Sequence, residues 1–154
     1  MTSESRLAYA HITTDLGNLQ SSRIITYRVI GKLLDTKGVK MKGSGALTLT
    51  EVAGGHTEAY FHIGSKAYDY AAGTLLVRAA GGVVTDLSGK PWTVKSSDGI
   101  VAASSQSLNA EIRAAIAAVM KKGSSSAQTR TNKGTLGNQS HHKLYKEIRS
   151  KVKN

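Results

Sequence analysis

The fold of this chain is decided by one stretch, Tyr68-Asp69-Tyr70-Ala71-Ala72-Gly73-Thr74-Leu75-Leu76-Val77-Arg78-Ala79-Ala80-Gly81-Gly82. Its alanine and leucine content predicts a helix from about Tyr70 to Ala80, which ends at the glycine pair because glycine readily adopts the left-handed turn beyond a helix. Asp69 stands just before this helix, where a carboxylate accepts hydrogen bonds from free backbone amides. Asp69 is therefore an N-cap or a ligand for a hard cation such as Mg²⁺, which prefers carboxylate oxygens, and the two roles are compatible.

Strands and helices alternate on both sides of this stretch, which predicts an α/β domain in which helices cover a sheet. The turn Gly43-Ser44-Gly45 is predicted to open a helix that turns Ala46, Leu47, Leu49 and Val52 inward and closes at Gly54-Gly55. The other predicted elements are strands at 10–15, 39–42, 57–63, 83–86 and 99–103, a helix capped by Ser21 or Ser22 with Ile24, Ile25, Val29, Leu33 and Leu34 on its apolar face, and a last helix at 107–120.

The composition fits one domain and restricts its chemistry. The chain has 154 residues, 40% of them hydrophobic, and one proline. It has no cysteine, which excludes disulfides, thiolate zinc sites and thiol catalysis, so that any metal must be held by oxygen or imidazole. The sequence shows no apolar run of about 18 residues and no basic-then-apolar leader, so we expect no transmembrane segment and a cytoplasmic location.

The net charge of +11 is concentrated at the C-terminal end. Residues 121–154 carry nine Lys or Arg and the single acid Glu147, a net +8, which leaves +3 for residues 1–120. From Gly123 the composition predicts a flexible linker, and residues 141–152 are predicted to form a short basic helix. The tail is interpreted either as a solvated segment or as a weak, nonspecific contact for RNA, DNA or an anionic membrane, since it has one aromatic residue, Tyr145, and no stacking platform.

The opening stretch, with its aromatic-Asp pair, small residues, apolar run and Gly-Gly, resembles the C-terminal signature of the inositol monophosphatase family. Val83 to Pro91 and Ile100 to Ala103 are similar to the family's closing strands, Thr14-Asp15-Leu16-Gly17 to a strand-ending element, and Gly43-Ser44-Gly45-Ala46-Leu47 to its Gly-Ser-Ala-Ala-Leu helix start. The resemblance spans residues 10–120. It implies the C-terminal half of the family's fold, a layered sandwich of a mixed sheet covered by helices, between an N-terminal extension (1–9) and the basic tail (121–154).

The resemblance also implies a site. In the family the aspartate that matches Asp69 is a metal ligand, and the amides around the segment that matches Gly43, Ser44, Gly45 and Ala46 face the substrate. The implied reaction is Mg²⁺-dependent hydrolysis of inositol monophosphate or a related small sugar or nucleotide phosphate, by attack of a metal-bound water. The residues suit this role, because glycines at a helix start expose backbone N–H groups to an anion or a hydroxyl.

His62 departs from the family's pattern, which commonly has an acidic residue seven positions before the metal aspartate, to hold hydroxyls of the inositol ring. A neutral imidazole donates or accepts one hydrogen bond at each nitrogen and supplies no carboxylate. His62 is therefore interpreted either as a substrate-binding residue that alters specificity or as an edge-strand histidine with no ligand role.

The family's Glu-Glu and Asp-Pro-x-Asp-Gly-Thr elements, which provide most of its metal ligands, do not occur in this sequence. One aspartate does not hold the ions that metal-assisted hydrolysis needs, so we expect the chain to be inactive by itself. Its partner would be a second copy in a homodimer or a polypeptide that supplies the missing N-terminal half. The competing hypotheses are a non-catalytic binding or assembly module, since half of a sandwich exposes an apolar face, and polyanion binding through the tail.

Overall fold

A computed structural model describes residues 6–128 except 18, 65 and 97, with side chains up to residue 121. One sheet contains five strands, β1 (His11–Thr14), β2 (Gly38–Met41), β3 (Ala59–Ile63), β4 (Val83–Thr85) and β5 (Gly99–Ala103). The helices are α1 (Gln20–Ile30), α2 (Gly45–Gly54), α3 (Ala67–Ala79) and α4 (Gln106–Gln128), and a short 3₁₀ turn, Leu7–Tyr9, precedes β1. The predicted α/β class, a mixed sheet covered by helices, is confirmed. No helix in the described ranges is long and apolar enough to cross a membrane.

The sheet has the strand order β2-β1-β3-β5-β4, with β3 in the middle. Strands β1, β2 and β3 are parallel, and β5 runs antiparallel to both β3 and β4. Helix α1 connects β1 to β2 at one edge of the sheet. Helix α2 then connects β2 to β3, which lies on the other side of β1. Because parallel crossovers are right-handed, this reversal of direction puts α1 and α2 on opposite faces of the sheet. The carboxyl ends of the parallel strands meet at one edge, and a reversal of this kind opens a crevice there.

Each face of the sheet has its own hydrophobic core. On one face α1 and α4 cover the strands, and this core includes Ile12, Val29, Phe61, Leu108 and Ile112. On the other face α2 and α3 cover them, and this core includes Leu49, Tyr60, Val77, Trp92 and Ile100. Since alternate side chains of a strand point to opposite faces, the neighbours Tyr60 and Phe61 belong to different cores.

The central strand differs from its prediction. The strand was expected to span residues 57–63, but β3 begins at Ala59, and all five of its residues are buried although the sequence alternates in polarity. Helices on both faces of the sheet bury both sides of a central strand, so exposure does not alternate along it. The interpretation of His62 as an edge-strand residue is wrong, because β3 pairs with β1 on one side and with β5 on the other.

Helix α1 also differs from its prediction. It begins at Gln20 after Leu19, so Ser21 and Ser22 lie inside the helix and neither caps it. Its buried face is formed by Ser22, Thr26 and Val29, and the helix ends at Ile30. Among the residues expected on the apolar face, Val29 and Leu33 are buried, whereas Ile24 and Leu34 are exposed. Ile24 lies on the side of α1 opposite Ser22 and Val29, and Leu33 and Leu34 follow the end of the helix, so the face of the helix does not set their burial.

The ends of the other helices are partly as predicted. Helix α2 is capped by Ser44, whose hydroxyl accepts a hydrogen bond from the Leu47 amide, and it closes at Gly54-Gly55. Leu47 was expected to face inward but is 53% exposed. Helix α4 passes the predicted end at Met120 and continues to Gln128, so the predicted linker is helical from residue 123 to residue 128. Adding a residue to an existing helix is far easier than nucleating a new one, and this favours the extension. The predicted basic helix at 141–152 lies outside the described residues.

The contact between α2 and α3 generates the first prediction. A Cβ atom at Gly73 would lie 2.5 Å from Cβ and 2.7 Å from Cδ1 of Leu49, so α3 has no room for a methyl group at this point. We expect Gly73→Ala to lower the free energy of unfolding by about 1–3 kcal/mol, the usual cost of overpacking a core. Urea denaturation followed by circular dichroism measures this change.

Gly31→Ala is the matched control for this substitution. Gly31 has φ −61° and ψ −16°, and a Cβ there would meet only carbonyl oxygens, at 3.5 Å and beyond. This substitution should leave stability unchanged or slightly raised, because alanine restricts the unfolded chain. Equal denaturation midpoints for the two variants would contradict the close packing of α2 on α3.

Candidate functional site

A cleft of about 730 Å³ lies at the edge of the sheet where the parallel strands end. Four segments line it: the end of β1, the β2–α2 loop, the end of β3 and the start of α3. The residues predicted for the site all contribute to its lining, together with Asp15, which the sequence analysis did not single out; these are Asp15, Gly43, Ser44, Gly45, Ala46, His62 and Asp69. The fold thus brings the predicted residues together in one place.

The carboxylate of Asp15 holds the cleft together. Its Oδ1 accepts hydrogen bonds from the amides of Gly43 (2.6 Å) and Lys42 (3.2 Å), and its Oδ2 accepts one from the hydroxyl of Tyr60 (3.1 Å). The residue is 8% exposed, so these charge-assisted bonds are made largely out of water, where they are strong. They connect the β2–α2 loop to the end of β1 and to Tyr60 of β3. An acidic residue directly after a buried parallel strand was the signal in the sequence that could have identified Asp15.

The β2–α2 loop requires glycine at two positions. Gly43 has φ +76°, in the left-handed region that other residues rarely adopt. A Cβ at Gly45 would lie 2.3 Å from Cε1 of Tyr70 and 2.9 Å from the hydroxyl of Tyr60, so a side chain cannot fit there. Glycine therefore allows the start of α2 to lie directly against the buried tyrosine pair.

The start of α2 presents backbone donors to the cleft. The amides of the first turn of a helix have no acceptor within the helix. The hydroxyl of Ser44 accepts a hydrogen bond from one of them, the amide of Leu47, and the carbonyl of Ser44 accepts the first regular helical hydrogen bond, from Thr48. The amides of Gly45 and Ala46 come before these on the cleft side, at the positive end of the helix dipole, which suits an anion or a hydroxyl oxygen.

His62 lies at the floor of the cleft and is 8% exposed. Its ring is 5.9 Å from the ring of Tyr70, and within the described part of the chain its buried Nδ1 atom has no hydrogen-bond partner. Burial lowers the pKa of His62, against the smaller opposite effects of the Asp15 and Asp69 carboxylates. The imidazole is therefore neutral at pH 7, and one ring nitrogen lacks a partner that a ligand or a water would supply.

Asp69 lies in the first turn of α3 and not at its N-cap, which corrects the capping prediction. The N-cap residue is Lys66, whose carbonyl accepts a hydrogen bond from the Asp69 amide at 3.1 Å. The helix starts three residues earlier than expected, because Ala67 and Tyr68 join the alanine-rich run. Asp69 is exposed, and no hydrogen bond to its carboxylate is found among the described residues. A carboxylate in this position is stabilised by the helix dipole and is free to bind a ligand.

The donor set of the cleft does not form a complete site for Mg²⁺. Magnesium is bound in octahedral geometry by oxygen ligands, usually with one or two carboxylates. Both oxygens of Asp15 already accept hydrogen bonds from the protein, whereas the carboxylate of Asp69 accepts none among the described residues and is available to a metal ion. In residues 6–128, apart from the three omitted positions, no three His, Cys, Asp or Glu side chains lie close enough to hold a metal. The described residues therefore do not provide a full set of magnesium ligands.

Comparison with known proteins agrees with this architecture. The profile of the Inositol monophosphatase family matches residues 6–122. The inositol-1-monophosphatase ImpA of Mycolicibacterium smegmatis is 49% identical over 65 residues, which are 42% of this chain and 24% of that protein. The putative Nus factor SuhB of Neisseria meningitidis is 40% identical over 94 residues, 60% of this chain and 36% of that protein. The chain belongs to the inositol monophosphatase family, and it spans about a quarter to a third of the length of these relatives.

Solved structures share the fold. The extragenic suppressor protein suhB of Bartonella henselae has a TM-score of 0.67 and 27% sequence identity, and the match covers 75% of this chain and 44% of that one. The IMPase of Thermotoga maritima, at 24% identity, has a TM-score of 0.69 over 79% of this chain and 45% of its own. Each of these structures therefore contains the present fold together with a comparable length of further polypeptide.

The Asp15 network generates a prediction about stability. Asp15→Ala leaves two amides and one hydroxyl without their acceptor in a largely buried place, and one such unsatisfied donor costs about 1–3 kcal/mol. We expect a loss of stability in at least this range, measured by urea denaturation. Asp35→Ala, which removes an exposed aspartate outside the cleft, is the control and should cost less than about 0.5 kcal/mol. Similar losses in the two variants would show that Asp15 does not organise the cleft.

The burial of His62 generates a prediction about pH. Because the pKa of His62 is lower in the folded state, the unfolded chain binds a proton more readily below pH 6.5, the ordinary pKa of histidine. The free energy of unfolding should therefore decrease as the pH falls from 7 through 6.5 and below. His62→Gln should reduce this slope, whereas substitution of the exposed His56 by Gln should keep it. Parallel stability profiles for wild type and His62→Gln between pH 5 and 7 would show that His62 is not the source of this pH dependence.

Proposed function

We propose that this chain forms the substrate-binding part of a Mg²⁺-dependent phosphomonoesterase of the inositol monophosphatase family and that it is not catalytic by itself. The substrate class is a small phosphorylated alcohol, inositol monophosphate or a related sugar or nucleotide phosphate. The observation that carries the proposal is the meeting of three groups in one cleft: the start of α2, the neutral His62 and the free carboxylate of Asp69.

Each group has a role in this proposal. The amides of Gly45 and Ala46 bind oxygens of the substrate, since the start of a helix favours negative charge and lone pairs. His62 contacts a hydroxyl of the substrate through an imidazole nitrogen, and its lack of charge makes the contact different from that of a carboxylate. Asp69 contributes one ligand to a Mg²⁺ ion whose other ligands come from a different polypeptide.

Because the described residues lack further metal ligands, we propose that this chain binds the substrate but does not hydrolyse it. Metal-assisted hydrolysis requires ions that activate water and neutralise the phosphate, and one carboxylate does not hold them. A partner that completes the site, either a complementing N-terminal half or a second copy, therefore belongs to the proposal. Weak polyanion binding by the basic tail stays a separate hypothesis, supported by the net +8 of residues 121–154, and it concerns residues that lie mostly outside the described part of the chain.

The experiment measures binding and turnover separately. We expect the chain with Mg²⁺ to bind myo-inositol 1-phosphate by isothermal titration calorimetry and to release no phosphate from it, from fructose 1,6-bisphosphate or from adenosine 3′,5′-bisphosphate. His62→Ala should weaken this binding, because it removes the proposed contact with a hydroxyl of the substrate, and Asp35→Asn should preserve it. Turnover by the chain alone would overturn the claim that its site is incomplete, and a failure of all three phosphates to bind would overturn the proposed function.

A further inference from the structure

The cleft contains two helix starts that both suit a negatively charged group. The start of α3 carries Asp69, which in the proposed function meets the reacting phosphate through Mg²⁺. The start of α2 presents the amides of Gly45 and Ala46, which suit a second anion. A Cβ atom at Gly45 would lie 2.3 Å from Cε1 of Tyr70, the residue after Asp69, so the two helix starts are close neighbours.

The imidazole of His62 is a second and independent indication of a ligand at this place. The residue lines the cleft, is 8% exposed, and has a buried Nδ1 atom that lacks a hydrogen-bond partner among the described residues. Buried polar atoms normally have a partner, which a ligand or a water would supply here. The ring of His62 is 5.9 Å from the ring of Tyr70, so the imidazole and the start of α2 adjoin the same tyrosine.

The acidic residues of the cleft do not oppose an anion at the start of α2. The lining contains two described acids, Asp15 and Asp69. Three hydrogen bonds from the protein compensate the charge of Asp15, and Asp69 is the proposed metal ligand. Burial lowers the pKa of His62, so the imidazole is neutral and brings no negative charge to this part of the cleft.

Two lysines add positive charge at the rim of the cleft. Lys42 lies in the loop before α2 and forms a salt bridge with Glu51, and Lys66 is the N-cap of α3, with its Nζ atom 5.8 Å from the centre of the Tyr68 ring. Both lysines line the cleft and are exposed. Positive charge around a cleft raises the local concentration of anionic ligands, and the effect grows with the charge of the ligand.

We propose that this chain selects a substrate with two phosphate groups, one beside Asp69 and the other at the start of α2 beside His62. The inference rests on the proposed function and narrows its substrate class to a bisphosphorylated sugar or nucleoside. The cleft volume of about 730 Å³ is sufficient for one such molecule. A carboxylate at position 62 would repel the second phosphate, whereas the neutral imidazole of His62 does not.

The test compares ligands that differ by one phosphate group. Isothermal titration calorimetry, with Mg²⁺ in excess over each ligand, gives the Kd of the full chain for fructose 1,6-bisphosphate and its two monophosphates, and for adenosine 3′,5′-bisphosphate and its two monophosphates. We expect at least one bisphosphate to bind about tenfold more tightly than either of its monophosphates. The series that shows this preference distinguishes a sugar from a nucleoside.

His62→Glu should remove most of this preference, because it places a carboxylate beside the second phosphate. Binding of the bisphosphate should weaken about tenfold, and binding of the monophosphates should change less than about threefold, since a carboxylate still accepts a hydrogen bond from a hydroxyl. His62→Gln keeps a neutral side chain and should keep the preference. The matched control is His56→Glu, which adds the same charge at an exposed position outside the cleft.

A double substitution at the rim tests the same inference without a change in the core. Lys42→Gln with Lys66→Gln should weaken bisphosphate binding about fivefold and monophosphate binding less, because two exposed charges are lost. Lys32→Gln with Lys37→Gln removes two exposed lysines outside the cleft and should change neither affinity. Thermal melts by circular dichroism identify the variants that fold.

Two results would overturn the inference and leave the proposed function standing. The first is binding of the monophosphates as tightly as their bisphosphates in both series. The second is a preference for the bisphosphate that persists unchanged in the Lys42 and Lys66 double variant and in folded His62→Glu. Failure of every one of these phosphates and of myo-inositol 1-phosphate to bind would instead refute the proposed function, and the inference with it.

Discussion

The carboxylate of Asp15 is the interaction on which the cleft depends. It lies directly after β1 and accepts hydrogen bonds from the loop that follows β2 and from Tyr60, the second residue of β3, so one acceptor links three parallel strands. The bonds fix the loop in the left-handed turn at Gly43, and this turn aims the start of α2 into the cleft. Without this acceptor, the buried hydroxyl of Tyr60 and two partly buried loop amides would lose their partner, which is more costly than the loss of a solvated pair.

A second constraint is the close approach of α2 to α3. The absence of side chains at Gly45 and Gly73 lets the start of α2 reach the Tyr60–Tyr70 pair and lets α3 lie on Leu49. Burial raises the pKa of both tyrosines, so their hydroxyls keep their protons, and the hydroxyl of Tyr60 donates a hydrogen bond to Asp15. Both helices begin at the cleft, so the positive ends of their dipoles border it. The geometry of the cleft thus depends on how closely α2 packs on α3 and on the two buried tyrosines.

The sequence predicted the α/β class and the residues of the cleft better than the details of burial. Glycine pairs marked the ends of α2 and α3 because their turns require special backbone angles, and β5 (Gly99–Ala103) was predicted with its observed bounds. The central position of β3 and the buried face of α1 depend on strand order, which local periodicity does not contain. Asp15 was missed for the same reason, since its partners are distant in sequence and meet it only in the folded sheet. The cap at Asp69 was misplaced because the strong helix former Ala67 extended the helix backwards.

The reversal of chain direction at β1 has a consequence for how the protein can change. Every described residue that lines the cleft falls between Asp15 and Tyr70, whereas the described residues of β4, β5 and α4 contribute packing and do not line it. The residues that can contact a ligand therefore precede, in the chain, the elements β4, β5 and α4, which only support the cleft by packing. Substitutions in β4, β5 and α4 change the packing behind the cleft and leave the groups that contact a ligand unchanged. Ligand selectivity and folding stability can therefore change independently of each other as the sequence evolves.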